Sequence, residues 1–286
     1  MGKIFCVLFL LPFIVFAQSG TEIYLFDLSI TKKVITVSNP VNVSNKAGYD
    51  NQPSFLQDGK TVLFTYTVQG QTEIAKYDIL KKQLTVLTQT SGSEYSPLQT
   101  PDPGYFSAIL LEKDGTQLLN RYPIEDSRPT VLIPDVIVGY HTWENAESLF
   151  AFVLGTPNTL QHIRLKNGID LKHIAVNPGR SLHFHQTSRQ LYFVDKSEAQ
   201  PLIKSYSPET EKFITIAPVL DTAEDFAVID QKSLIMGTGS QLFFFDGLKK
   251  QPQWELISDL ASFGLNGISR LAVSPDQKYL AVVVAE

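Results

Sequence analysis

Residues 267–286 read GISRLAVSPDQKYLAVVVAE. Two apolar runs flank Ser274-Pro275-Asp276-Gln277-Lys278, a cluster of turn formers, so the stretch is a β-hairpin. A hairpin by itself is too small to bury an apolar face and needs further strands beside it. The opposite end of the chain offers them. Residues 21–38, TEIYLFDLSITKKVITVS, read as two more strands at 23–28 and 33–37. Joined, the two ends make one four-stranded unit, and the chain becomes a ring closed by its own termini.

The same unit recurs between those ends. Residues 49–67, YDNQPSFLQDGKTVLFTYT, give a strand, an Asp58-Gly59 turn and a second strand, and EIAKYDI (73–79) and QLTVLTQ (83–89) complete the meander. Further copies begin near residues 93, 138, 180, 223 and 265, at spacings of 42 to 45 residues. That period is the one expected of a four-stranded propeller blade. Closing the ring also hides sheet edges that would otherwise invite aggregation. Two stacked sandwiches would use as many strands but leave the complementary ends unexplained. The expected fold is all-β, a six-bladed β-propeller of four-stranded blades, with the terminal strands sharing the last blade. Sustained helical periodicity is absent, so helices should be few and short.

Ser274-Pro275-Asp276-Gln277-Lys278-Tyr279-Leu280-Ala281 is similar to the S-P-D-G-K-x-I-A hairpin of the TolB-like, WD-repeat-like propellers, and 53–60, PSFLQDGK, is a second clear copy. Blade two keeps only Thr100-Pro101-Asp102, and blades three to five lose the Pro-Asp. The resemblance implies the six-bladed fold and an exported setting. It brings no catalytic set with it, because such propellers serve as docking modules, as gates on hydrolases and as enzymes. TolB carries a small domain before its propeller, and the prolyl oligopeptidase group adds a hydrolase with a G-x-S-x-G elbow. This sequence holds no such elbow; Gly237-Thr238-Gly239-Ser240 reads as a hairpin turn, and the propeller is expected to stand alone.

Composition narrows the partners. The 286 residues are 43% apolar and 19% charged with a formal net charge of -5, enough for a full core and unsuited to nucleic acid or an anionic membrane surface. Residues 1–17, MGKIFCVLFLLPFIVFA, have one lysine, an apolar run and a small-x-small end, the pattern of a signal peptide cleaved before Gln18. The apolar run is about 13 residues, short of the roughly 20 that span a bilayer. Residues 18–286 are then expected to form one domain, periplasmic or secreted, with no transmembrane anchor after cleavage. Cys6 lies in the leader, so the mature chain would have neither disulfides nor a thiol nucleophile.

The innermost strand of each blade lines the channel, so aligning the six copies predicts a polar ring at its mouth. Its members are Asn51-Gln52, Tyr95-Ser96, Gly139-Tyr140, Arg180-Ser181, Glu224-Asp225 and Ser269-Arg270, with Asp50 and Glu94 just before. Tyr95 and Tyr140 offer stacking surfaces and Arg180 and Arg270 carboxylate clamps. A hydrated channel lined for its own sake would look the same. Asp50, Glu94, Glu224 and Asp225 could gather a Ca²⁺ only by converging. His183 and His185 lie on one strand face near His141, as in propeller-type pectate-fragment lyases, but are placed against a neighbouring blade rather than the channel; His162 and His173 fall on outer strands without partners. Neither a metal nor a cofactor is therefore assigned. The expected function is that of a non-enzymatic, monomeric exported propeller binding a protein or peptide of the cell envelope at the channel mouth. The alternative is a channel-mouth enzyme or small-molecule binder of the sugar-fragment lyase or lactonase type.

Overall fold

The computed structural model describes residues 20–31, 34–125 and 128–286. The proposed signal peptide and the Lys32-Lys33 pair lie outside these residues. The described chain forms six antiparallel sheets of four strands. Five run in sequence order, as blades one to five, over residues 51–86, 93–133, 138–176, 178–218 and 226–259. Blade six combines Arg270–Val273 and Tyr279–Ala285 with Thr21–Thr31 and Val34–Asn42. Thr21–Thr31 pairs antiparallel with Tyr279–Ala285, from Thr21 opposite Ala285 to Asp27 opposite Tyr279, so the terminal strands close the ring as read from the sequence. The helical turn found among the described residues is the 3₁₀ segment Leu260–Phe263.

Period-two alternation in the middle strands serves two interfaces at once, because each blade is sandwiched between two others. In Gln241–Asp246, Phe244 packs into the cluster shared with blade six and Phe245 into the cluster shared with blade four. Six such clusters fill the six junctions. Every blade contributes one wholly buried phenylalanine: Phe64, Phe106, Phe150, Phe193, Phe226 and Phe26 in blade order. Each is worth roughly 1.5–3 kcal/mol of apolar burial. Packing between blades, rather than one central core, holds the ring.

The turn chemistry behind the family resemblance is present. Asp58 Oδ1 accepts the amides of Lys60 and Thr61 at 2.7 and 2.9 Å, and Gly59 takes the left-handed conformation that follows. In blade six, Asp276 Oδ1 accepts the Ser274 hydroxyl at 2.8 Å, with Gln277 at positive φ. These two hairpins are neighbours: a Cβ on Gly59 would stand 3.2 Å from the Asp276 carboxyl. The clear motif copies therefore belong to blades six and one, at the closure.

The innermost strands are irregular. Their registers slip between Asn51 and Ser54, Tyr95 and Leu98, Val138 and Tyr140, and Pro178 and Leu182. Gln52 and Ser96 sit at positive φ within these bulges. A bulge breaks the alternation of faces and re-aims the side chains around it. This sets which residues reach the channel.

Candidate functional site

Bulged innermost strands bring side chains from all six blades around one axial cavity of about 90 Å³. Gln52, Tyr140, Arg180, Asp225 and Arg270 from the predicted ring line it, with Ser96 and Ser181. The centre is an ion-pair network. Arg180 Nε donates to Asp225 Oδ2 at 2.5 Å, and its Nη2 donates to the Ser269 carbonyl at 2.8 Å. On the other oxygen of Asp225, Arg270 Nη1 stands at 3.5 Å, while Nη2 donates to the Tyr140 hydroxyl at 3.2 Å. The guanidinium also lies 5.2 Å from the centre of the Tyr140 ring. Blades three, four, five and six are tied across the axis by these contacts.

Arg270 is 8% exposed, which corrects its expected place as a clamp open to solvent. Burial works against its charge, but Asp225 and then the oxygens of Tyr140 and Tyr49 outweigh that and raise its pKa. Burial likewise raises the pKa of Tyr49, with Arg270 pulling the other way. Arg180 keeps about a third of its side chain in solvent, and Glu224, ion-paired to Lys196, sits beside it at 3.8 Å. Tyr95 lies on a shallower shelf with Tyr49, their rings 6.4 Å apart. The reachable cation of the mouth is Arg180.

Five predicted members do not line the cavity. Tyr95 and Glu224 lie beside it, Asp50 and Glu94 are fully buried, and Asn51 is spent on Thr21 Oγ1 at 3.2 Å and the Gln52 amide at 2.8 Å. Asp50 lies where blade six meets blade one, and Glu94 where blade one meets blade two. Both precede the bulge, so alignment by turn places them one face away from Gln52. The four carboxylates weighed for Ca²⁺ are therefore dispersed. Among the described residues no group of three or more His, Cys, Asp or Glu is arranged to hold a metal ion.

His183 packs against the neighbouring blade five, as expected, and with His141 also borders the cavity. His183 Nε2 meets Ser181 Oγ at 2.9 Å and its ring packs on Phe226, while His141 Nε2 meets Ser107 Oγ at 2.7 Å. Burial lowers both pKa values, that of His141 to about 3, so both are neutral wall groups. His162 has a partner after all: Nε2 stands 2.7 Å from Glu144 Oε2, with the ring stacked on Phe150. Sequence reasoning also missed a basin of about 440 Å³ at the hairpin end of the innermost strands, walled by Phe55, Leu98, Trp143 and the amides of Gln57, Gln99 and Gln186. No repeated amide marks it: Asn145, whose Oδ1 accepts the Glu147 amide as Asp58 Oδ1 accepts that of Lys60, sits one hairpin position beyond Gln57.

No family model matches the chain, and no curated protein matches it. Solved structures do. TolB from Acinetobacter baumannii superposes with a TM-score of 0.58 at 11% identity over 93% of this chain, which spans 64% of that TolB. A chain of a nidogen/laminin complex gives a TM-score of 0.64 at 11% identity, covering 92% of this chain and 98% of the other. A gluconolactonase from Xanthomonas campestris gives 0.63 at 11% identity, covering 96% and 99%. At these identities the likeness is one of fold, and the fold it shows for this chain is the TolB-like six-bladed β-propeller.

Proposed function

We propose that the chain is an exported binding module that takes a carboxylate-bearing segment of a protein partner at the channel mouth, acting as a monomer in the periplasm or outside the cell. The observation that carries this reading is the partly exposed Arg180, fixed by Asp225 and the Ser269 carbonyl with donor capacity left toward solvent. A guanidinium held in place loses little freedom on binding and matches a carboxylate in two-pronged geometry. Tyr49 and Tyr95 form an apolar shelf with polar tips beside Gln52 and Tyr140 of the same mouth. The cavity behind is far smaller than the roughly 300–1,000 Å³ of pockets that enclose small organic ligands, so one partner side chain or chain end fits better than a whole metabolite. TolB and nidogen/laminin neighbours support a binding role at the level of fold.

The test is capture from envelope extract by residues 18–286, with the Arg180→Glu variant in parallel and the retained protein tested again in purified form. Retention by the native chain, loss from the variant and weakening with salt are the expected results. Equal retention by both would move the interface elsewhere. The gluconolactonase likeness supports a second reading, hydrolysis of a sugar lactone at the same mouth. Lactone turnover by the native chain that disappears in Arg180→Glu would favour that reading over docking.

A further inference from the structure

Two junctions of the ring carry a like pairing of carboxyls, and both flank blade one; Glu22 is part-buried and the other three are buried. At the junction of blades six and one, the amide of Ile23 donates to Ser44 Oγ at 3.0 Å; at that of blades one and two, the amide of Ile74 donates to Thr88 Oγ1 at 2.7 Å. These bonds mark the residue before each isoleucine, Glu22 and Glu73, as equivalent. Each meets the carboxyl that precedes the next innermost strand, Asp50 in one case and Glu94 in the other. Asp50 and Glu94 are 0% exposed and Glu73 2%. Asp50 Oδ2, Glu73 Oε2 and Glu94 Oε2 are all buried without a hydrogen-bond partner. The buried carboxylates Glu144 and Asp195, in blades three and four, are instead ion-paired with Arg189 and Lys204.

The surroundings supply little positive charge. Glu94 is faced by the Thr90 hydroxyl at 2.6 Å from the connecting segment and the Tyr122 hydroxyl at 3.4 Å from Gln117–Pro123; Glu112 lies beyond Tyr122, bound by Ser91. Glu73 is faced by the Gln71 amide at 2.5 Å. All of these are neutral or acidic. Asp50 is faced by the Thr67 amide at 2.8 Å, by Ser44, by Glu22 and Tyr66, and by one cation, Lys46, whose ammonium is held by the Thr67 carbonyl. Glu22 is part-buried and accepts the Ser44 hydroxyl at 2.5 Å and the Lys46 amide at 3.1 Å, whereas Asp50, Glu73 and Glu94 are buried; a buried carboxylate beside another acid cannot stay ionised at low cost, so a proton is the natural further member at each junction.

We propose that Glu22–Asp50 and Glu73–Glu94 are proton-holding clasps on the two sides of blade one, and that release of their protons to solvent loosens that blade from the ring. The two differ in what opposes burial. Burial raises the Asp50 pKa to about 6, with the Thr67 amide and more weakly Lys46 pulling it down; burial and then Glu73 raise that of Glu94 to about 8, against the Thr90 hydroxyl. Protons bound more tightly by the folded chain make stability fall as pH rises. The closure junction loosens as pH climbs from about 4 to 6, and the junction of blades one and two over the wider window from about 4.5 to 8. Blade one also carries Gln52, whose Oε1 accepts the Ser96 amide at 2.8 Å across that second junction, so loosening reaches the channel wall.

Amide hydrogen exchange on the mature chain tests this, comparing native protein with Glu94→Gln at each pH from 6 to 9 so that the intrinsic pH dependence cancels. The amide mimics the protonated acid and can donate to Glu73. The ratio of native to variant exchange in blade one and its two junctions is expected to climb by up to about tenfold per pH unit between pH 6 and 8 and to level off above 8, with blades four and five unchanged. A ratio independent of pH, or loosening spread evenly around the ring, overturns the proposal. Should Glu94→Gln fail to fold, Glu73→Gln removes one charge of the pair and must make the pH dependence shallower. Infrared spectra add a direct reading: native protein at pH 7 should show the carbonyl band of a buried neutral carboxylic acid that Glu94→Gln lacks, and absence of that band also overturns it.

Discussion

The starts of the innermost strands are one slot repeated six times, and the two sides of the ring fill it with opposite electrostatics. Around blades four to six the slot holds Arg180, Asp225 and Arg270, whose charges answer one another within 3.5 Å. Around blades one and two it holds Asp50 and Glu94, whose nearest charged neighbours are mostly acids. Ion pairs among groups with well-separated pKa values persist from pH 5 to 10. Carboxyl pairs depend on a proton and do not. One fold thus combines a pH-indifferent half, suited to presenting a binding surface, with a pH-sensitive half beside its closure.

The contrast breaks most severely at Arg270. Replacing it with leucine keeps apolar volume but removes the bridge between Asp225, Tyr140 and Tyr49 at a nearly fully buried site. Removing one partner of a buried pair costs on the order of 3–5 kcal/mol; the lower end applies here because Asp225 retains Arg180. Urea unfolding should show a loss of about 3 kcal/mol that is the same at pH 6 and pH 9. A loss below about 1 kcal/mol would mean that the network is not the structural tie its geometry indicates.

Asp50→Asn acts on the other side, with the opposite sign. The folded-state pKa of Asp50 is raised to about 6, so native stability is greatest below its unfolded value near 4 and declines as pH climbs through 6. An asparagine cannot ionise and keeps an oxygen for the Thr67 amide. Its stability relative to native should therefore rise between pH 4 and pH 7, by up to about 3 kcal/mol, as followed by thermal unfolding at each pH. A difference independent of pH would assign Asp50 a purely steric role. Gly59→Ala has a smaller effect at the same closure: left-handed backbone and contact with Asp276 should cost about 1–2 kcal/mol at all pH values.

These outcomes bear on how far the sequence could be read. Strand identity and ring closure were legible because they rest on local chemistry and period: Phe244 and Phe245 alternate between two junctions, and Asp58 and Asp276 build their turns from neighbours two or three residues away. The site was legible only in part. Gln52, Tyr140, Arg180, Asp225 and Arg270 reach the channel as aligned, whereas Asp50, Asn51 and Glu94 turn into the junctions. The cause is the bulge at Gln52 and Ser96, non-glycine residues at positive φ that no local motif announces. His162 and Glu144 are eighteen residues apart and meet only through strand pairing within blade three, so no spacing rule finds them.

The smallest structural effect should accompany the largest functional one, at Arg180. Its side chain is 31% exposed and paired with Asp225, which keeps Arg270 as a second partner, so Arg180→Gln removes a partly solvated ion pair without stranding a buried charge. Such pairs contribute about 0.2–1 kcal/mol, and unfolding should move no further than that. Glutamine can still donate to the Ser269 carbonyl but has neither the charge nor the planar fork that a partner carboxylate requires. Binding of the partner recovered by the native chain should fall at least about tenfold, with a shallower salt dependence, in the variant. If affinity and unfolding instead change together, Arg180 belongs with Arg270 among the ties of the ring, and the reachable surface of the mouth must be sought on the Tyr49–Tyr95 shelf.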